Sequence, residues 1–478
     1  MFTDEVRHSP PLPTKMAIHL EPTIAAIATP PGVGGIGIIR ISGPNALAIL
    51  KKIFIPKNKS VVFTSHRLLY GWIKSPVTNQ FLDEVLAVYM RAPHTYTRDD
   101  VVEIQAHGSF VALQQILTVV QDAGARLAEP GEFTKNAFLN GRLDLTQAEA
   151  VIELLQAKTG KGLRAAVNQL QGGLHGEVQG IIDTLLKIKA VIEVAIDFPD
   201  DEIELLNADV LREQMQQVAD ALNNLILAAD HGRILKEGFS AVIIGRPNVG
   251  KSSLLNTLLR EDRAIVTPIP GTTRDTIEEC LDINGLPVKI IDTAGIRDTE
   301  GEEIEDIGIK RSKSKLAEAD LVLLLLDSSM PLQKDDFKLI ADSKDKMLVL
   351  VANKADIGRT DFTDECGEAF PETKVTVISA KNDTGITQLK EAIFTTVTGQ
   401  GTDWAPEHAA LPNLRHRASL VKTHSAAQCF IKSLTTGISP DLLAIDLQAA
   451  LDNLGDIIGY TTTEDVLDQI FGQFCIGK

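Results

Sequence analysis

The chain has 478 residues, 44% of them hydrophobic and 23% charged, with a formal net charge of −17. Its length exceeds one ordinary core and sets an expectation of about three domains, and its composition is that of a globular chain rather than a disordered or fibrous one. So large an acidic excess excludes broad electrostatic binding to nucleic acid; any work on RNA needs a local basic patch or a basic partner.

Residues 1–20 read as a loose extension, with Asp4 and Glu5 but no apolar region, so no signal peptide is expected. Residues 21–140 form a first domain. Its segments TIAAIAT, GIGIIRIS and EVLAVYM are rich in Ile and Val and broken by Pro-Gly pairs, which predicts strands, and a helix is expected over about 110–124. Residues 141–235 change to helical texture, opened by a capping box at Thr146-Gln-Ala-Glu149 and interrupted at Pro199. In the helix beyond, Leu211, Met215, Val218, Leu222 and Leu225 recur at helical spacing, a stripe that packs a core.

Residues 236–400 alternate strand, loop and helix, and 401–478 return to helices near 414–434, 441–455 and 463–471. The expected architecture is therefore an α+β multidomain chain: an N-terminal α/β domain, a helical domain in two parts, and a Ras-like P-loop α/β domain inserted between them. The longest aliphatic run, 321–326, lies between Asp320 and Asp327 and suits a buried strand, being far too short for a membrane span. Cys280, Cys366, Cys429 and Cys475 form no CxxC pair, which fits reduced thiols in a cytoplasmic protein better than disulfides or a zinc site.

The strand AVII leads into Gly245-x-x-x-x-Gly250-Lys251-Ser252 and then a helix. Glycines let backbone N–H groups curl around phosphates, Lys251 reaches the outer phosphates, and the Ser252 hydroxyl ligates Mg²⁺. Four more elements follow in order. In Pro270-Gly-Thr-Thr-Arg-Asp275, Thr273 is placed to bind Mg²⁺ beside a γ-phosphate. At the end of a strand, Asp292-Thr293-Ala294-Gly295 offers an aspartate for the Mg²⁺ shell and a glycine that senses the γ-phosphate. Asn353-Lys354-Ala355-Asp356 supplies a carboxylate for the N1–H and 2-amino donors of guanine, a pair that adenine lacks. Ser379-Ala380-Lys381 can turn a backbone N–H toward the guanine O6. Five such elements in series indicate a guanine-nucleotide switch.

After DTAG, where Ras-like proteins use glutamine to orient water, stands Ile296. An aliphatic side chain cannot orient water. Asn248 in the loop is a candidate ligand for a monovalent cation, able to replace an arginine finger worth about 10³–10⁵ in rate. A carboxylate of Gly301-Glu-Glu-Ile-Glu-Asp306 is the other candidate.

From TIAAIATPPGVGGIGIIRISG through VVEIQAHGS, GEFTKNAFLNGRLDLTQAEA, GRPNVGKSSLLN, PGTTRD and DTAGIR to the terminal FCIGK, nearly everything after residue 20 resembles the MnmE (TrmE) family of tRNA-modification GTPases. The resemblance implies a homodimer joined through a folate-binding N-terminal domain. Arg40, Glu103, Arg142 and Lys478 would contact a tetrahydrofolate derivative, in its 5,10-methylene or 5-formyl form. The family often has lysine at the position of Arg142, which keeps the charge.

The resemblance also implies K⁺ held by Asn248, Thr267, Thr272 and the Ile269 carbonyl. The nucleotide site then comprises Asn248, Val249, Gly250, Lys251, Ser252, Ser253, Thr267, Thr272, Thr273, Asp292, Thr293, Ala294, Gly295, Asn353, Lys354, Asp356, Ser379, Ala380 and Lys381. The water-orienting glutamate aligns with Glu305, with Glu303 as its rival because one extra residue precedes it. A partner flavoprotein, MnmG, would join it in a heterotetramer that modifies carbon 5 of the wobble uridine of certain tRNAs.

Cys475 stands four residues from the end, where a prenylation box would place it, but glycine is not aliphatic and a terminal lysine suits neither prenyl group. Read alone, it is a thiol on a mobile tail. The resemblance puts Lys478 at the folate and makes Cys475 a catalytic candidate beside it. Two rival functions remain. A ribosome-assembly GTPase would need a basic RNA-binding module after Gly399, and a membrane-remodelling GTPase a lipid anchor or an exposed apolar helix.

Overall fold

The computed structural model describes residues 22–197, 208–262, 279–291, 316, 318–371, 373–399, 410–436 and 438–478. Two compact units divide them. One holds the described residues up to Ile152 with Ile458–Lys478, and the other holds Glu153–Ile457.

The first unit runs β1 (Ile24–Ile27), β2 (Gly34–Ser42), α1 (Ala46–Ile53), β3 (Phe54–Pro56), β4 (Arg67–Lys74), β5 (Phe81–Met90), β6 (Val101–Gly108), α2 (Phe110–Asp122), β7 (Arg126–Leu127) and α3 (Glu132–Leu139), ending in α4 (Leu145–Gln156), which crosses the boundary. Its sheet has the order β3-β4-β5-β6-β2-β1-β7, antiparallel throughout except for β1 with β7. Alternation along the strands turns Ile39, Ile41, Val85, Ala87, Val102 and Ile104 to one face, where Ile49, Ile53, Ile116 and Val120 of α1 and α2 cover them. The opposite parity places Arg40 directly across from Glu103.

The capping box at α4 lies earlier than Thr146. Asp144 Oδ1 accepts from the Gln147 amide at 3.0 Å and Gln147 Oε1 accepts from the Asp144 amide at 3.1 Å, so Thr146 is already helical. An aspartate caps as well as a threonine, and the Asp144 carboxylate reaches the amide three residues on.

The second unit continues with α5 (Gly160–Leu170), α6 (Gly173–Asp197), α7 (Ala208–Glu237), β8 (Phe239–Gly245), α8 (Lys251–Asp262), β9 (Glu279–Ile283), β10 (Leu286–Ile291), β11 (Leu321–Asp327), α9 (Lys334–Asp342), β12 (Met347–Asn353), α10 (Phe362–Ala369), β13 (Val375–Val377), α11 (Ile386–Thr398), α12 (Leu414–Thr435) and α13 (Pro440–Ile458). α14 (Glu464–Phe471) returns the chain to the first unit.

The expected stripe of α7 is buried at all five positions, from Leu211 to Leu225, and α7 packs along α12 with Arg417 paired to Asp230 at 2.8 Å. The sheet order is β13-β12-β11-β8-β10-β9, parallel except for the β9–β10 hairpin. Every residue of β11 is buried because apolar clusters cover both faces of the sheet. β8 lies between β10 and β11, so the loop leaving its C-terminal end opens near the middle of the sheet, where open α/β sheets bind ligands.

Candidate nucleotide and folate sites

The loop after β8 is held in shape by its neighbours. Gly250 has φ of 99°, and a Cβ there would stand 2.3 Å from Asn353 Nδ2. Asn248 has φ of 60°, a conformation that asparagine tolerates better than most side chains. The Lys251 ammonium lies 2.9 Å from the carbonyls of Gly245 and Arg246, and burial pulls it below the ordinary lysine range. Val249 is buried, while Ser252 is half-buried and Ser253 exposed at the start of α8.

Asn353 ties this loop to the base-side motifs. Its Nδ2 donates to the Val249 carbonyl at 2.8 Å and its Oδ1 accepts from the Ala380 amide at 3.0 Å. Asp356 accepts from the Ser379 hydroxyl at 2.8 Å, which orients its carboxylate. Lys354, at φ of 66°, pairs with Asp327 at 2.6 Å. Burial works to raise the Asp327 carboxyl, but hydrogen bonds from Lys354 and Ser329 outweigh it and hold the group below the usual carboxylate range.

Asn248, Val249, Gly250, Lys251, Ser252, Ser253, Asn353, Lys354, Asp356, Ser379, Ala380 and Lys381 therefore gather at one end of the sheet. Thr267, Ile269, Thr272, Thr273, Asp292, Thr293, Ala294, Gly295, Ile296, Glu303 and Glu305 lie outside the described residues.

In the first unit, four residues distant in sequence converge. Arg40 Nη2 and Nε lie 2.8 and 2.9 Å from Glu103 Oε1, with each side chain 19% exposed. Arg40 Nη1 donates to the Gly477 carbonyl at 3.3 Å. The Arg40 guanidinium stands 5.9 Å from the Tyr96 ring and the Arg142 guanidinium 4.7 Å from it. Burial and the Arg40 charge hold the Lys478 ammonium below its ordinary range, against Glu103 and Cys475.

The C-terminal tail is anchored, which differs from a mobile one. Phe474 is buried with its ring 5.6 Å from that of Phe471, and Gly477, at φ of 97°, fits so closely that a Cβ would stand 2.5 Å from the Ile27 carbonyl oxygen. Cys475 is exposed between these two anchors.

The chain matches the model of the MnmE helical domain over residues 145–475 and that of the GTP-binding protein TrmE N-terminus over 23–142. It is 51% identical over 464 residues to "tRNA modification GTPase MnmE" of Desulfotalea psychrophila, covering 95% of this chain and 98% of that protein. The namesakes from Natranaerobius thermophilus and Geobacter sulfurreducens are 45% and 46% identical, each over 96% of this chain and all of the relative. The chain belongs to the MnmE family.

Sequence reasoning passed over three residues that adjoin these candidate sites. Asp327, read only as the fence of an aliphatic run, stands opposite Asn353 in the β11–β12 register; adjacency of the two strand ends was the available signal. Arg246 of the loop pairs with buried Asp336 at 2.9 Å. Tyr96 lies beneath two arginines that are 56 and 46 residues away, and no local pattern marks it.

Proposed function

We propose that this chain is a potassium-activated, magnesium-dependent GTPase of the cytoplasm that acts as a homodimer with an MnmG-type flavoprotein. Together they install an aminomethyl-type (carboxymethylaminomethyl) group at C5 of the wobble uridine of certain tRNAs. The observation that carries this reading is the gathering of Glu103 and Lys478 about Arg40, which shares the Tyr96 ring with Arg142, in a chain that also holds a glycine-shaped phosphate loop beside Asn353 and Asp356.

The residues of the loop suit a nucleoside triphosphate. Gly250 leaves the space against Asn353 that a Cβ would fill, so the backbone can curl around phosphates. Lys251 would exchange its two carbonyl partners for phosphate oxygens, and the Ser252 hydroxyl would hold Mg²⁺ with Thr273 and Asp292. Asp356 accepts from guanine N1–H and the 2-amino group. The Ala380 amide is engaged by Asn353, so the Lys381 amide is the donor for O6. Potassium at Asn248, Thr267, Ile269 and Thr272 would neutralise charge between the phosphates, and Glu305 would orient the attacking water.

The first-unit cluster suits a folate. The Glu103 carboxylate can accept from a pterin edge, while Arg40, Arg142 and Lys478 supply cations for glutamate carboxylates. Methylenetetrahydrofolate would supply the one-carbon unit. Tyr96 offers a flat apolar surface, and Cys475, exposed beside Lys478, is positioned as a nucleophile or acid. The outward face of β4 and β5 exposes Leu68, Tyr70, Trp72 and Leu86, a surface that a homodimer would cover. Among the described residues no helix is long and apolar enough to cross a membrane.

Exchange of sodium for potassium at constant ionic strength tests the catalytic half of this reading. GTP hydrolysis should rise strongly, and equal rates in the two salts would overturn it.

A further inference from the structure

Residues 22–82 contain seven Lys and Arg and no Asp or Glu, although the chain carries 64 acidic residues and a net charge of −17. All the carboxylates therefore lie outside this stretch. Six of its cations, Lys51, Lys52, Lys57, Lys59, Arg67 and Lys74, border the outer end of the first-unit sheet. Lys51 and Lys52 occupy the last turn of α1, which runs directly into the terminal strand β3; Lys57 and Lys59 follow that strand, and Arg67 and Lys74 begin and end β4. All but Lys74 are exposed.

Among the described residues none of the six is in an ion pair. Three are held instead over aromatic rings: Lys51 at 5.7 Å from Phe63, Lys57 at 5.0 Å from Tyr70 and Lys74 at 5.4 Å from Phe81. A ring quadrupole fixes an ammonium without cancelling its charge. Lys52 donates to the Ala123 carbonyl at 3.0 Å, which likewise leaves the charge intact, with Asp122 the adjacent acid. The carboxylates of the neighbouring strand are occupied, Asp83 by His107 and Glu84 by the Tyr70 hydroxyl.

Lysines on an edge strand commonly guard against strand pairing. Here Pro56, which has no N–H, sits within β3 itself, and the four lysines flank that strand rather than lie on it.

We propose that this cation-rich edge of the first-unit sheet, centred on Lys51, Lys52, Lys57 and Lys59, binds the phosphate backbone of the tRNA substrate. The proposal rests on the tRNA reading above. It resolves how so acidic a chain can meet a polyanion: the repulsion of the whole is offset where unpaired ammoniums are concentrated along one edge.

The test is binding of a fluorescent tRNA transcript to the full chain and to the Lys51→Ala/Lys52→Ala/Lys57→Ala/Lys59→Ala variant, between about 50 and 200 mM salt. The variant should lose at least about tenfold in affinity, and the slope of log affinity against log salt should flatten by about 1 for each lysine that meets a phosphate. The corresponding four arginines should restore binding, and GTP hydrolysis without tRNA serves as the control for folding. If the wild-type chain does not bind the transcript, the tRNA reading fails together with the edge. If wild type and variant bind alike with one salt slope, the edge alone is wrong. A variant that keeps tRNA affinity but loses the dimer or the flavoprotein would assign the edge to a protein partner and overturn the proposal.

Discussion

Asn353 donates from Nδ2 to the Val249 carbonyl at 2.8 Å, and so fastens the end of β12 to the phosphate loop. Its Oδ1 meanwhile accepts from Ala380, so one amide side chain sets the spacing between the loop after β8 and the segment proposed to hold the base. Both backbone partners belong to buried residues. Asn353→Ala should therefore destabilise the second unit by about 2–4 kcal/mol, the cost of two buried groups left without partners. It should also weaken GTP binding, as read by thermal unfolding and nucleotide titration. A variant of unchanged stability and affinity would show that the bridge is incidental.

The proposed folate site would carry a pH dependence through Lys478. Its ammonium is held below the ordinary lysine range by burial and by Arg40. A lysine whose pKa is lower folded than unfolded binds fewer protons when folded, so its share of stability rises with pH between the two values. Ligand binding has the opposite sign. A folate carboxylate needs the charged amine, so affinity should fall as pH rises through the depressed pKa. Lys478→Arg, whose guanidinium stays charged, should flatten that fall. Affinity of a tetrahydrofolate derivative measured across the alkaline range checks this, and identical profiles for the two proteins would remove Lys478 from the site.

For Cys475, the serine variant should keep potassium-stimulated GTP hydrolysis and folate binding while wobble-uridine modification is abolished or crippled. All three are measurable in one preparation. Full modification by the variant would make the thiol a bystander, and lost folate binding would make its role structural.

Hydrolysis assigns Glu305 a different signature. Glu305→Ala should lose most turnover with GTP affinity near wild type, since a water-orienting group acts after binding. If Glu303→Ala has that phenotype instead, the register across the extra residue is wrong.

The nucleotide site was legible because its motifs are local. Gly250, Lys251 and Ser252 are consecutive where the loop after β8 runs into α8, and Asn353 and Asp356 lie at and just beyond the end of β12, so the spacing is local. The stripe from Leu211 to Leu225 was equally plain, being one face of one helix. The capping box was misplaced by two residues because Asp144 and Thr146 both have capping side chains, and only the backbone decides which of them precedes the helix. Tyr96 and the anchoring of the tail were not legible. Gly477 is fitted against Ile27 and Arg40 reaches the Gly477 carbonyl, contacts between residues more than 400 positions apart that no periodicity records.

Wobble-uridine analysis of tRNA from cells lacking this protein, with and without the wild-type chain restored, tests the central claim most directly. Mass spectrometry should show the C5 aminomethyl-type group absent in the deletion, restored by wild type, and not restored by a chain carrying Arg40→Ala and Lys478→Ala. Identical wobble uridines in all three strains would contradict the account.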